Sequence, residues 1–123
     1  MKKRIYYNHT DAGGIVYHSN YITFCEQARS EVFFSHGIFF SQNEGYVIKN
    51  LKANFIKSAK LGDIIEIKTH LTKLRKTSIE LLQEIYKEGE KIFDLEVTAV
   101  YVSNGKISKI PENHLKILNE HFQ

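Results

Sequence analysis

The sequence predicts an α+β domain in which one long helix packs on an antiparallel sheet. After a glycine-containing loop, apolar residues recur at the spacing of one helix face. From Tyr46 to Val102, apolar and polar residues alternate in several runs, which is typical of half-buried antiparallel strands. A chain of 123 residues suits one domain, so we expect a single domain over residues 1–123.

The first predicted elements are a short strand and the long helix. Residues 3–8 suit a strand with Ile5 and Tyr7 on one face, and the loop with paired glycines follows. Asn20 is a suitable N-cap for the helix, and Gly37 is a suitable stop. The residues of its broad apolar face, which a flat sheet would cover, are Tyr21, Phe24, Cys25, Ala28, Val32, Phe33 and Phe34.

A run of strands and a short C-terminal helix complete the predicted order. Alternation predicts strands at 65–72, 77–85 and 93–101, and the glycine-containing turn 87–90 would join the last two as a hairpin. Pro111 can occupy the first position of the last helix. The buried side of that helix would comprise Leu115, Leu118 and Phe122.

Composition and charge narrow the class of protein. The net charge is +3, but the lysines are scattered among glutamates, so no nucleic-acid-binding face is expected. Cys25 is the single cysteine, which excludes an intrachain disulfide and a zinc cluster built from cysteines, and which suits a cytoplasmic location. Neither a signal peptide nor a membrane-spanning run is expected. The histidine spacing is unlike that of metal ligands, so neither a metal nor another cofactor is expected.

The glycine-containing loop carries a family resemblance. Residues 5–21, with the run DAGGIVYH at 11–18, resemble the signature of hotdog-fold acyl-CoA thioesterases of the YbgC and 4-hydroxybenzoyl-CoA thioesterase family. Residues 24–31 match the opening helix of that family, and residues 53–63 resemble the strand and turn that are its next landmark. The resemblance implies a five- or six-stranded sheet wrapped around the helix, and two subunits that pair to build the sites.

Asp11 is the reacting carboxylate that this resemblance implies. Hydrolysis of a thioester requires a nucleophile at its carbonyl carbon and a group that stabilises the developing oxyanion. A carboxylate can attack directly and form an enzyme-bound anhydride, or it can deprotonate a water molecule. The resemblance leaves these two routes open.

The start of the helix near His18 is the expected oxyanion site. A helix N-terminus offers unpaired backbone N–H groups and the positive end of the helix dipole. By resemblance, the N–H of His18 points at the thioester carbonyl. Its imidazole would orient the water or the substrate, or would donate to the oxyanion or the leaving thiolate. Gly14 would let the backbone approach the substrate closely. Tyr17 would line the acyl pocket.

Less specific interpretations of the same residues stay open. An aspartate in a glycine-containing turn is often only a turn former, which is the alternative for Asp11. Glu26 is explained by an ion pair with Arg29, although some members of the hotdog fold use a helix glutamate in catalysis. The alternative functions are an enoyl-thioester hydratase or dehydratase, and a non-catalytic adaptor that binds acyl thioesters.

The expected partners follow from the implied reaction and fold. The expected substrate is an acyl-CoA, and the sequence leaves open whether acyl carrier protein replaces coenzyme A. The acyl chain length and the choice between aliphatic and aromatic groups are also open. Because a sheet of this size has open edges, we expect a homodimer, or a homotetramer of two dimers.

Overall fold

The computed structural model describes residues 1–122. The elements are β1 (Lys2–Arg4), a 3₁₀ helix (Tyr7–His9), α1 (His18–Phe34), β2 (Glu44–Phe55), β3 (Ile64–Leu74), β4 (Ser78–Lys87), β5 (Glu90–Ser103), β6 (Lys106–Ile107) and α2 (Glu112–His121). The strands of this part of the chain form one antiparallel sheet in the order β1-β3-β4-β5-β2, with β6 beside β5. The α+β prediction, with one long helix, five or six strands and a short last helix, is confirmed. In residues 1–122, no helix is long and apolar enough to span a membrane.

The helix α1 buries the predicted face against the concave side of the sheet. Its buried residues are Tyr21, Phe24, Cys25, Ala28 and Phe33. The Tyr21 ring stacks on Phe93 of β5 at 5.2 Å between centroids, which fixes the N-terminal half of α1 on the sheet. The face is narrower than predicted, because Phe34 is partly exposed and stacks on Phe39 in the following loop.

The first strand is shorter than predicted. In the structure β1 ends at Arg4. The prediction that Ile5 and Tyr7 share one face of a strand is wrong, because Ile5 is buried whereas Tyr7 is 81% exposed. The chain turns there into the 3₁₀ helix. The Tyr6 amide donates to Nδ1 of His9 at 2.9 Å, and the Thr10 hydroxyl donates to the Tyr7 carbonyl at 3.1 Å.

The start of α1 is displaced by three residues from the prediction, and the start of α2 by one. Asn20 is not the N-cap of α1, because Tyr17 occupies that position and Asn20 lies in the first turn. Its side chain instead donates to the His9 carbonyl at 2.8 Å and ties the helix to the preceding loop. Pro111 is the N-cap of α2 and not its first helical residue. Gly37 follows the end of α1 with φ of +81°, as expected of a helix stop.

The hairpin between β4 and β5 has the predicted turn. Glu88 and Gly89 have φ of +50° and +78°, which is the left-handed pair of a two-residue hairpin loop. The hairpin fixes the register of two central strands, so that Leu81 faces Val97. On α2, Leu118 is buried as predicted and Leu115 is partly buried. Phe122, which follows the helix, is buried as predicted, and His114 is buried as well.

Gln83 clamps α1 to the middle of the sheet. Its side chain is fully buried, and its amide donates to the Cys25 carbonyl at 2.7 Å and to the Thr69 hydroxyl at 3.0 Å. Its oxygen accepts a hydrogen bond from the Arg29 guanidinium at 3.2 Å. The predicted ion pair of Arg29 with Glu26 is wrong, because Arg29 turns to Gln83 and Glu26 accepts from Ser30.

We expect Gln83→Leu to lower the free energy of unfolding by about 1–3 kcal/mol, because the buried groups that Gln83 satisfies lose their partner. Urea denaturation followed by circular dichroism measures this change. Gln27→Leu is the matched control, since Gln27 is an exposed residue of α1. Equal stability of the two variants would contradict the clamp.

Candidate active site

The glycine-containing loop is a tight turn that presents Asp11. The Asp11 amide donates to the Ile15 carbonyl at 2.9 Å, and the Gly14 amide donates to the Asp11 carbonyl at 3.1 Å. Gly14 has φ of +80°, the left-handed conformation that closes a three-residue hairpin loop after a type I turn. A residue with a side chain is strained at this φ, so the turn requires glycine there.

One oxygen of the Asp11 carboxylate stabilises this turn. Oδ1 accepts the Gly13 N–H at 2.8 Å, and a Cβ atom at Gly13 would lie 3.2 Å from that oxygen. Within residues 1–122, no group donates to Oδ2, and Asp11 is exposed. Asp11 is therefore a turn former, as the less specific interpretation held, and it also keeps one carboxylate oxygen available.

Backbone pairing holds the loop against the segment between β2 and β3. The Val16 amide donates to the Ala59 carbonyl at 2.9 Å, and Ile15 forms an antiparallel bridge with Lys60. The Tyr17 amide donates to the His9 carbonyl at 2.9 Å. Val16 is buried, and its side chain anchors a loop whose other residues are exposed. Asp11 thus lies in a loop that backbone pairing holds to the segment between β2 and β3.

The first turn of α1 has amide groups that point out of the helix. The Asn20 amide donates to the Tyr17 carbonyl at 2.9 Å, and Tyr17 makes no side-chain cap. Among the described residues, the amides of His18 and Ser19 have no acceptor. No acidic side chain lies in this turn, so the positive end of the helix dipole is not neutralised locally. Such a helix start favours an anion or a developing negative charge.

Asp11, Tyr17 and His18 line one cleft of about 330 Å³. Three of the four residues that the sequence singled out therefore meet at one place. Gly14 is not among the lining residues; it shapes the turn behind Asp11. The Tyr17 and His18 rings lie 4.3 Å apart between centroids.

The end of β2 supplies an apolar wall that the sequence did not single out as part of the site. Phe55 and Ile56 line the cleft and are 53% and 51% exposed. The Phe55 ring lies edge-on to His18 at 6.3 Å and to Tyr21 at 6.0 Å. The Tyr21 hydroxyl is held by the Ala59 amide, which donates to it at 2.9 Å. The sequence feature that could have indicated this wall is the pair of consecutive apolar residues, Phe55 and Ile56, at the end of β2.

The single cysteine lies outside the cleft. Cys25 is buried, and burial raises the pKa of its thiol to about 12, so it is not a thiolate at neutral pH. In the described part of the chain, no group of three histidine, cysteine, aspartate or glutamate residues is placed to hold a metal ion. Among the residues that line the cleft, Asp11 is the carboxylate and Lys57 is the cationic residue.

Comparison with known proteins gives one family. The Thioesterase superfamily model matches residues 13–93. The chain is 38% identical to the acyl-CoA thioesterase YbgC of Helicobacter pylori strain 26695, over 97% of this chain and 98% of that protein. It is 47% identical to the acyl-CoA thioesterase YbgC of strain J99, over 89% of this chain and 90% of that protein.

A solved structure gives the same fold. The crystal structure of a hypothetical protein from Aquifex aeolicus superposes with a TM-score of 0.89 and 30% sequence identity, covering 96% of this chain and 97% of that one. The hotdog fold predicted from the loop is confirmed. The matched range 13–93 includes the first turn of α1 and the end of β2, which are two sides of the cleft.

Proposed function

The chain is an enzyme of the thioesterase superfamily, and we propose that it hydrolyses acyl-CoA thioesters to a free acid and the CoA thiol in the cleft of Asp11, Tyr17 and His18. The observation that carries the proposal is the pairing of two groups in this cleft. One is a carboxylate with an available oxygen, and the other is a helix start with unpaired amides. These are the two groups that hydrolysis of a thioester requires.

Asp11 supplies the nucleophile or activates it. In the first route its carboxylate attacks the carbonyl carbon, the C–S bond breaks, and water then hydrolyses the anhydride. In the second route it takes a proton from a water molecule that attacks the carbonyl carbon, and the C–S bond breaks to release the CoA thiolate. Both routes use the oxygen that the turn leaves available, since Oδ1 is bound by Gly13.

The helix start stabilises the oxyanion. The carbonyl oxygen gains negative charge as the tetrahedral intermediate forms, and the amides of His18 and Ser19 face outward at the positive end of α1. The His18 imidazole orients the water or the substrate, or donates to the oxyanion or the leaving thiolate. The ring of Tyr17 contacts the acyl group near the thioester, and Gly14 gives the loop the turn that brings the backbone close to the substrate.

Two other functions would use the same fold. An enoyl-thioester hydratase would add water to a double bond and leave the thioester intact, and an adaptor would bind the thioester without turnover. The presence of Asp11 in the cleft favours an enzyme over an adaptor. Release of the thiol separates hydrolysis from both.

The test is thiol release from a series of acyl-CoAs, from short to long aliphatic and aromatic acyl groups, with acyl carrier protein thioesters included. We expect steady thiol release with at least one class of acyl group, together with an equal amount of free acid. Binding of every thioester without release over hours would contradict the proposed function.

We also propose that the functional unit is a homodimer built on β2. This strand is one edge of the sheet, it has 12 residues, and most of them are exposed. Val47, Leu51 and Phe55 are apolar and 53%, 40% and 53% exposed. A long edge strand that combines unpaired backbone groups with exposed apolar side chains is a template for pairing with another strand. Pairing with β2 of a second copy about a two-fold axis covers it, and two such dimers can form a tetramer.

We expect Leu51→Lys to convert the dimer to a monomer, because a charge on the edge strand disfavours pairing. Light scattering after size-exclusion chromatography measures the mass. Ile64→Lys is the control, since Ile64 is 49% exposed and lies on β3, near the opposite edge of the sheet. A wild-type protein that is monomeric at micromolar concentration would exclude the dimer.

A further inference from the structure

One short segment holds the loop of Asp11 in place. This segment comprises residues 59–63 between β2 and β3, and we call it the strap. The Ala59 carbonyl accepts the Val16 amide at 2.9 Å, and Lys60 forms an antiparallel bridge with the residue before Val16. The position of the Asp11 carboxylate therefore depends on the position of the strap.

A hydroxyl group of α1 holds the same strap. The Ala59 amide donates to the Tyr21 hydroxyl at 2.9 Å, and the two residues are 0% and 3% exposed. Tyr21 lies in α1, three residues after His18, whose amide is the proposed oxyanion donor. The Tyr21 ring stacks on Phe93 at 5.2 Å between centroids. This packing fixes the hydroxyl relative to the start of the helix.

We propose that Tyr21 is a positioning residue of the reaction, and that its hydroxyl sets the distance between the Asp11 carboxylate and the amides at the start of α1. The connection runs from Tyr21 through Ala59 to Val16 in two hydrogen bonds. The inference rests on the proposed thioesterase activity, because it concerns the support of the two reacting groups. Attack on a carbonyl needs the reacting atoms about 3–3.5 Å apart, so a small displacement of the loop slows the reaction.

The carboxylate of Asp63 is a second anchor of the strap. Its Oδ2 accepts the Lys60 amide at 2.7 Å and lies 2.9 Å from Nζ of Lys87 on β4. Tyr21 and Asp63 therefore hold two consecutive amides of the strap, those of Ala59 and Lys60. Asp63 does not line the cleft, so its substitution tests the strap without a change in the lining.

The substitution Tyr21→Phe removes the hydroxyl and keeps the ring. Phenylalanine can still stack on Phe93, so α1 stays packed on the sheet. The Ala59 amide, which belongs to a fully buried residue, then has no acceptor. A buried donor without a partner is unfavourable, so the strap shifts until this amide reaches water, and the loop moves with it.

The first test compares kcat and KM of Tyr21→Phe with those of Tyr101→Phe. We expect Tyr21→Phe to lower kcat by about 10–100-fold with little change in KM, because the reacting groups are misplaced. Tyr101 is the control, since it is 4% exposed, donates its hydroxyl to Glu44 and does not line the cleft. Both variants lose one buried hydrogen bond, so their melting temperatures should fall by similar amounts. Equal kcat values for the two variants would overturn the proposal.

The pH profile separates positioning from proton transfer. Burial raises the pKa of the Tyr21 hydroxyl, the Ala59 N–H opposes this shift and Asp63 adds to it, so the pKa lies above its ordinary value. The hydroxyl is therefore neutral from about pH 6 to 9. The ratio of wild-type kcat to that of Tyr21→Phe should be constant over this range. A ratio that changes with pH would assign a proton transfer to Tyr21 and overturn the positioning role.

The second test measures the strap directly by amide hydrogen exchange, followed by nuclear magnetic resonance. The Val16 amide should exchange roughly tenfold faster in Tyr21→Phe than in the wild type, while amides in the second half of α1 keep their protection. Unchanged Val16 exchange in a Tyr21→Phe variant with reduced kcat would mean that the hydroxyl acts on the substrate itself, and it would overturn the proposal.

Asp63 provides the same test from outside the cleft. Asp63→Ala removes the acceptor of the Lys60 amide, so it should accelerate Val16 exchange and lower kcat. Asp63→Asn loses the ion pair with Lys87 but keeps an oxygen that can accept this amide, so its kcat should stay close to that of the wild type. Faster Val16 exchange in Asp63→Ala together with wild-type kcat would show that the strap does not position Asp11.

The outcomes separate this inference from the proposed function. A wild-type enzyme that releases no thiol from any acyl-CoA overturns the function itself. An active wild type that depends on Asp11, together with normal kcat in Tyr21→Phe, overturns only the role of Tyr21 and the strap.

Discussion

Replacement of Asp11 by asparagine is expected to lower kcat for acyl-CoA hydrolysis by about 10²–10⁴-fold, the usual loss when a positioned acid or base is removed. The amide retains an oxygen that can accept the Gly13 N–H, so the turn keeps the hydrogen bond that Oδ1 makes at 2.8 Å. What the variant lacks is the negative charge needed to attack the carbonyl or to deprotonate water. KM should change little, because Asp11 acts on the reacting atoms.

Asp11→Ala separates the chemical role from the structural one. Alanine removes the turn acceptor as well as the charge, so its melting temperature should fall below that of Asp11→Asn, while both variants lose turnover. Thermal melts of the three proteins provide this comparison. If the asparagine variant retained near-normal turnover, Asp11 would be only a turn former and the site would lie elsewhere.

Replacement of His18 by proline is expected to lower kcat by about 10²–10³-fold relative to His18→Ala, the usual loss of one oxyanion-hole donor. His18 is the first residue of α1, a position that proline occupies well because its N–H makes no helical bond there. Tyr17 has φ of −64° and ψ of 136°, an extended conformation that is compatible with a following proline. The helix therefore stays, and the amide N–H is lost.

The alanine variant is the control because both substitutions remove the imidazole and only proline removes the N–H. The difference between the two variants measures the amide, and the difference between wild type and alanine measures the imidazole. Steady-state kinetics with one acyl-CoA gives both, and far-ultraviolet circular dichroism checks α1. Equal rates for the two variants would place the oxyanion donor elsewhere, such as at Ser19.

The sequence predicted the architecture well where a single periodicity dominated. The strand alternation at 65–72 and the hairpin turn at 87–90 specify their elements locally, since burial on one face and the left-handed turn are properties of the segment itself. The helix starts were less predictable. Asparagine is a residue type that often caps helices, but the Asn20 side chain donates to the His9 carbonyl. This contact exists only once the loop has folded back.

The candidate site was only partly predictable from the sequence, because some of its residues come from distant segments. Asp11, Tyr17 and His18 are close in sequence, and a short turn brings them to one cleft. Phe55 lines the same cleft, although it is 37 positions after His18 in the sequence. Local sequence patterns do not predict which distant segments will lie together. The hydrogen bond between Tyr21 and Ala59 was not predicted either, because it depends on how α1 packs against the strap.

The most direct test of the proposed reaction is incubation of the wild type and Asp11→Asn with crotonyl-CoA, following the free thiol and the enoyl absorbance in the same sample. Crotonyl-CoA offers both a thioester and a double bond, so hydrolysis and hydration compete on one substrate. Thiol release by the wild type, loss of that release in Asp11→Asn, and no 3-hydroxyacyl-CoA are expected. Hydration without thiol release, or equal release by both proteins, would contradict an Asp11-dependent thioesterase.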